Sequence, residues 1–230
     1  MKHTEKIMKH TEKEMIELKD EVSQMWKLVL SQLEKAKQSF LNSDVELARE
    51  IVSREKRIDA FELKIDSDCE NYIALYGPVA VDLRLILSLN KISITLERIG
   101  DYAEGVARHV IEEECNKLEE TLIEELQIEK MFDTLISMLS DSFVALETEN
   151  TRISGKIMAK DDEMDNLYRQ SIEILSNYIQ QNPSQVRCGL KTVLVIRSLE
   201  RIGDHCGNIV EEIVFYVDAK VLKHGGKNKE

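Results

Sequence analysis

Proline and glycine are scarce in this chain, at two and nine of 230 residues. So few breakers leave little opportunity to turn, which disfavours turn-rich sandwiches and barrels and favours long helices. Aromatic residues make up only 5%, and alternating β-branched runs are rare, a second argument against strands. Cysteine is limited to Cys69, Cys115, Cys188 and Cys206, with no C-x-x-C or other ligand spacing. A disulfide framework or zinc ribbon is therefore not expected. The four read as free thiols in a reducing compartment, some of them packed in the core.

An excess of positive charge is also missing. The balance of 31 basic against 43 acidic residues gives a net charge of −12, without the basic stripe that nucleic-acid binding requires. Attraction to anionic lipid is disfavoured for the same reason. No apolar run approaches the length of a membrane-spanning helix, and the opening MKHTEKIMKHTEKEM has no secretory apolar segment. A cytoplasmic protein is expected, with cations or basic partner surfaces as its natural ligands. G-x-S-x-G, P-loop and H-E-x-x-H motifs are absent as well, so hydrolase and kinase chemistry have no support.

What is present is a repeat. The hexapeptide LERIGD occurs at residues 96–101 and again at 199–204, a coincidence of roughly one in a thousand at average residue usage. The halves correspond beyond it. Arg84 and Arg187 stand at the same distance before the repeated Glu, and Ile51, Ile58 and Asp59 correspond to Ile157, Met164 and Asp165 at one constant offset. The only prolines, Pro78 and Pro183, each precede the helix that carries LERIGD. The expected fold is all-α: six long helices forming two tandem three-helix bundles. The first repeat is placed at residues 8–115 and the second at 116–219, with a seam near 115–118 and a disordered tail at 220–230. The segment from Leu118 to Leu146 reads as one helix, and Asn42-Ser43-Asp44 supplies a turn and a helix N-cap. The duplicated MKHTEK at residues 1 and 8 carries no functional reading.

On a helix, Glu97 and Asp101 are four apart and share a face, as do Glu200 and Asp204. They border the core stripe of Leu89, Leu96, Ile99 and Ala103, or of Leu199, Ile202, Cys206 and Ile209. Gly100 and Gly203, which cost about 1 kcal/mol each against alanine in a helix, imply close approach of a neighbouring backbone. Same-face acid pairs are common in so charged a chain; Glu46/Glu50 and Glu120/Glu124 are examples that need be no more than solvated surface. The preceding helix of each half changes the weighing. Glu55/Asp59 and Asp161/Asp165 repeat the spacing, and the second pair interrupts an apolar stripe. Four carboxylates from two antiparallel helices, once per half, make an oxygen-rich metal site. A ferritin-type di-iron oxidase would want Glu-x-x-His, and neither His109 nor His205 has it. His205 is an accessory ligand or, more simply, a partly exposed polar residue. Arg98 and Arg201 are expected to pair locally with the acids.

The stretches PVAVDLRLILSLNKISITLERIGDYAEGVARHV and NPSQVRCGLKTVLVIRSLERIGDHCGNIVEEIV resemble the two signature helices of the PhoU family, and the resemblance extends from about Met8 to Val217. It implies the same two-bundle fold and metal clusters held by E/D-x-x-x-D motifs, with iron, zinc, manganese or magnesium as the ion. Carried over, the ligands are Glu55, Asp59, Glu97 and Asp101 in the first half and Asp161, Asp165, Glu200 and Asp204 in the second. The family's D-x-x-x-N continuation matches Asp204 and Asn208. Gly105 stands at the corresponding place in the first half, with Glu104 as the nearest substitute, so the second site is expected to be the better one. The resemblance further implies a non-enzymatic cytoplasmic negative regulator of phosphate uptake and the phosphate-starvation response. Its implied partners are the ATP-binding subunit of the phosphate ABC transporter, a membrane sensor histidine kinase and a second copy of itself.

Overall fold

The computed structural model describes residues 2–112 and 119–221, with side chains described from His10 onward except that of Glu120. Cys115, the seam near 115–118, most of the tail and the side chains of both MKHTEK copies up to residue 9 lie outside the described residues. Among the described residues seven α-helices account for the fold: α1 Lys2–Asn42, α2 Val45–Tyr76, α3 Ala80–Ile111, α4 Glu120–Glu125, α5 Ile128–Thr148, α6 Ser154–Gln181 and α7 Val186–Asp218. Single 3-10 turns, Thr151–Ile153 and Pro183–Gln185, precede α6 and α7. No strand occurs among the described residues, and none of these helices is long and apolar enough to cross a membrane.

Local chemistry sets most boundaries. Asp44 caps α2, its carboxylate accepting from the Leu47 amide at 3.0 Å, so that one of the orphan N–H groups is satisfied. Gly77 ends α2 at φ 54°, ψ 53°, donating its amide to Ile73 O at 3.1 Å. That left-handed conformation costs a residue with a Cβ roughly 1–2 kcal/mol. Pro78 then precedes Val79, the N-cap of α3, and Pro183 opens the 3-10 turn that leads into α7.

The segment expected to be one helix is broken. Gln127 adopts φ 52° between α4 and α5. In an unbroken helix Leu126 and Ile128 would project about 200° apart, yet Leu122, Leu126, Ile128 and Met131 are all buried. The break re-aims the chain so that both pairs reach the core. Six long helices therefore become six plus the short α4.

Helices α1, α2 and α3 pack as the first bundle and α5, α6 and α7 as the second. Between the bundles, α3 lies along α7 and α1 along α5. Trp26, fully buried on α1, donates its indole N–H to Leu139 O of α5 at 3.1 Å and packs against Phe143 at 5.5 Å. The α3–α7 pair is antiparallel. Ser88 Oγ donates to Glu212 O at 3.2 Å, Lys91 pairs with Glu212 at 2.9 Å, and at the far end Lys191 pairs with Glu112. At the middle of this pair the two LERIGD segments meet, and one continuous core of both bundles surrounds the crossing.

Candidate metal centres

The four acids of the first half come from α2 and α3. Asp101 stands between Glu55 and Glu97, but no three of the four come within 4.8 Å of one another as a ligand set. The deepest of them is Glu55. This side chain is only 7% exposed. Its Oε2 accepts from Gln32 Nε2 on α1 at 2.7 Å, while its buried Oε1 has no donor. Asp101 lies within hydrogen-bonding reach of both Glu55 and Glu97, an arrangement that requires a shared proton or a cation. The electrostatics record that strain. Burial pushes the Glu55 carboxyl up to about 7, with Asp101, Glu104 and Asp59 adding repulsion against the Gln32 hydrogen bond. Burial, then Asp101, Asp59 and Glu62, also raise Glu97 to about 7, and Arg98 opposes them weakly. Asp101 is raised by burial, Asp59 and Glu104.

The second half brings Asp165 of α6 together with Glu200 and Asp204 of α7. One carboxylate oxygen of each lies within 4.8 Å of the others, and all three are half-buried. Oxygens bound at about 2.1–2.4 Å to one cation stand at most about 4–5 Å apart, so this trio has the dimensions of a ligand set. Asp161 lies one turn earlier, its Oδ1 3.1 Å from where a Cβ on Gly203 would fall. Asn208 lines an open cleft of about 650 Å³ between α3 and α7 with Asp101, Tyr102, Glu104, Asp204 and His205. Asp101 of one centre and Asp204 of the other thus border the same cleft.

Both motif glycines sit under the acid-bearing helix, but what approaches them is side chain and not backbone. A Cβ on Gly100 would stand 2.9 Å from Ile58 Cδ1 and 3.3 Å from Glu55 Oε1. Gly100 makes room first for Ile58 and then for the Glu55 carboxylate, and Gly203 for the carboxylate of Asp161; this replaces the expectation of backbone contact. Local pairing holds for Arg201, whose guanidinium is 3.2 Å from Asp204 and 3.7 Å from Glu200. Arg98 makes no ion pair within 4 Å among the described residues. His205 stacks near Tyr102 at 5.7 Å, and burial, helped by Arg98, lowers its pKa. Glu104 pairs with Arg108 at 2.6 Å and raises both Glu55 and Asp101, so it stands beside the acids of the first half.

Two participants escaped the sequence reading. Gln32 interrupts the apolar stripe of Met25, Val29 and Ala36, and that interruption was the available signal. Glu62 extends the α2 face of Glu55 and Asp59 by another turn, followed by Asp66; burial and those neighbours raise its carboxyl. The corresponding places on α6 hold Tyr168 and Ile172. The first centre is therefore the more acidic, and the second the more compact.

Comparison with known proteins gives one answer. The family model described as "PhoU domain" matches residues 22–110 and 128–213. A phosphate-specific transport system accessory protein PhoU homolog of Aquifex aeolicus (strain VF5) is 34% identical over 211 residues, covering 92% of this chain and 94% of that one. The crystal structure of PhoU from Pseudomonas aeruginosa superposes with a TM-score of 0.82 at 28% identity, over 91% of this chain and 99% of that one. The phosphate transport system regulatory protein PhoU from Streptococcus pneumoniae gives 0.81 at 26% identity, covering 93% and 99%. Two bundles carrying a duplicated LERIGD helix, matched end to end by these relatives, lead to one conclusion: the chain belongs to the PhoU family.

Proposed function

We propose that this protein is a cytoplasmic, metal-binding regulator of phosphate uptake that restrains the phosphate-starvation response while phosphate is plentiful. It works as a homodimer with the ATP-binding subunit of the phosphate ABC transporter and with a membrane sensor histidine kinase, and catalyses no reaction itself. Its two working units are the repeats at 8–115 and 116–219. The names of its relatives, accessory and regulatory proteins of phosphate transport, support the role.

The observation that carries the metal reading is the trio Asp165, Glu200 and Asp204 at ligand spacing. The orphaned Glu55 Oε1, buried among carboxylates raised by their own crowding, supports a second site. Asp165, Glu200 and Asp204 would hold the ion in the second half with Asp161 and Asn208 beside them; Glu55, Asp59, Glu97 and Asp101 would do so in the first. The all-oxygen donor set favours iron, manganese or magnesium over zinc. The bound ion supplies positive charge that lets these carboxylates stay ionised at neutral pH. The chain's own residues fix its place, since the acids are mounted on packed helices and the glycines clear the space between them.

Metal analysis of protein purified without chelator tests the site, with the quadruple variant of Glu97, Asp101, Glu200 and Asp204 to Ala as comparison. Bound metal in the wild type and its loss in the variant is the expected result; equal content in both rejects it. The regulatory role is tested in cells, where deletion should derepress phosphate-starvation genes at high phosphate. Silence of those genes would count against it.

A further inference from the structure

The chain carries no Asp or Glu between Glu173 and Glu200, where about five would fall at its overall frequency of 43 in 230. Within this gap lie Arg187, Lys191 and Arg197, so the first half of α7 is a locally basic helix on an acidic protein. Its outer face also carries aliphatic side chains that no neighbour covers: Val186 is 44% exposed, Leu190 59% and Leu194 62%. These three recur every four residues and form one stripe, with Arg187 and Arg197 on the same face. Val186 to Arg197 spans about 16 Å of helix, the length of one short partner helix.

The pseudo-equivalent face of α3 is used differently. There Arg84 donates to Tyr216 O at 3.4 Å, and Lys91, in the place of Leu194, pairs with Glu212 at 2.9 Å. The C-terminal end of α7 thus neutralises the basic half of α3. At the opposite end of the pair, Glu112 of α3 reaches Lys191, which lies beside the stripe, while Arg197 is exposed and makes no ion pair within 4 Å among the described residues. The two faces differ in degree. On α3 Lys91 stands in the place of Leu194 and is paired, although Leu87 in the place of Leu190 stays 41% exposed. On α7 Glu112 interacts with Lys191 and Arg187, and the whole aliphatic stripe stays open beside Arg197.

We propose that the α7 face formed by Val186, Leu190 and Leu194 with Arg187 and Arg197 docks an amphipathic helix of a partner protein, one with aliphatic side chains flanked by Asp or Glu. Charge complementarity selects this occupant. The apolar stripe supplies contact area, and the arginines fix register against acids on the partner. A second copy of this chain is disfavoured, because a two-fold contact through this face would set arginine against arginine. An anionic membrane is disfavoured too: a planar surface would meet the rest of a molecule of net charge −12, whereas a short helix meets only the local basic patch within a Debye length. The proposal does not depend on metal at the carboxylates.

A phage-displayed library of helical peptides, selected on the full-length protein and counter-selected on the L190S/L194S double variant, tests it. All substituted positions are exposed, so helicity by circular dichroism should be unchanged. The expected outcome is enrichment of peptides pairing Leu or Ile at four-residue spacing with flanking Asp or Glu. An enriched peptide, labelled for fluorescence anisotropy, should bind R197E about tenfold more weakly and lose affinity as salt rises. No enrichment over the double variant, or enrichment of basic peptides, overturns the proposal. So do two other results: sedimentation with mixed phosphatidylcholine–phosphatidylglycerol vesicles that depends on Leu190 and Leu194, or a dimer that dissociates in the double variant.

Discussion

Glu55 shows how much a single residue discloses here. Its carboxylate is buried beside Asp101, holds one hydrogen bond from Gln32 and leaves one oxygen without a donor. Gln32→Leu should therefore remove the one group that favours the ionised form, raising the Glu55 pKa further and weakening metal binding at the first centre several-fold, with little effect at the second. Isothermal titration with manganese on single-centre variants checks this. Gly203→Ala gives the complementary case. The added methyl would gain about 1 kcal/mol of helix propensity but crowd Asp161 Oδ1 at 3.1 Å. The expectation is a melting temperature nearly unchanged together with reduced metal affinity in the second half. A large loss of stability with affinity intact would contradict it.

At the scale of elements, the helices were legible because their signals are local. Sparse glycine and proline, the Asp44 cap, the Gly77-Pro78 stop and the apolar stripes each act within a turn or two. What stayed hidden depends on how helices meet. Gln127 carries no turn chemistry, and its left-handed φ is imposed by the need to bury Leu126 and Ile128 together. Trp26 sits next to Met25 in sequence, and only the packing of α1 on α5 explains why both are buried. Trp26→Phe should remove the hydrogen bond that joins α1 to Leu139 O, which keeps its helical bond within α5. The expected cost is about 0.5–1.5 kcal/mol, or a fall in melting temperature of roughly 1–6 °C for a chain of this size. Gly77→Ala should cost about 1–2 kcal/mol through backbone strain alone, since nothing stands within 4 Å of its absent Cβ. Thermal denaturation measures both.

At the scale of the whole molecule, the carboxylates tie stability to pH. Glu55 and Glu97, held at about 7, keep their protons in the folded state at pH values where the unfolded chain, near 4.5, has released them. Their contribution is therefore present below pH 4.5 and is lost as pH rises through 7. His109 and His205, whose pKa values are lowered by burial, act in the opposite sense as pH passes 6.5. A comparison of chelated with manganese-loaded protein cancels that background. The melting-temperature difference between the two should widen from pH 5 to pH 7.5, because protons and metal compete for the same oxygens. A difference independent of pH would place the ion elsewhere. The candidate centres were half legible: the repeated acid pairs were visible at their spacing, whereas Gln32 and Glu62 join the site only through the packing of α1, α2 and α3.

The antiparallel crossing of α3 and α7 has a consequence for how such a molecule can change. Two separate copies of a half-length bundle would have to find each other at cellular dilution, and every substitution would appear in both. Joined in one chain, the halves meet at an effective concentration in the millimolar range, and each can drift alone. The sequence bears the marks of that freedom: Gln32 and an extended acid stripe on one side, and Leu194 in the place of Lys91 on the other. Covalent fusion turned a symmetric contact into a molecule with two distinguishable ends.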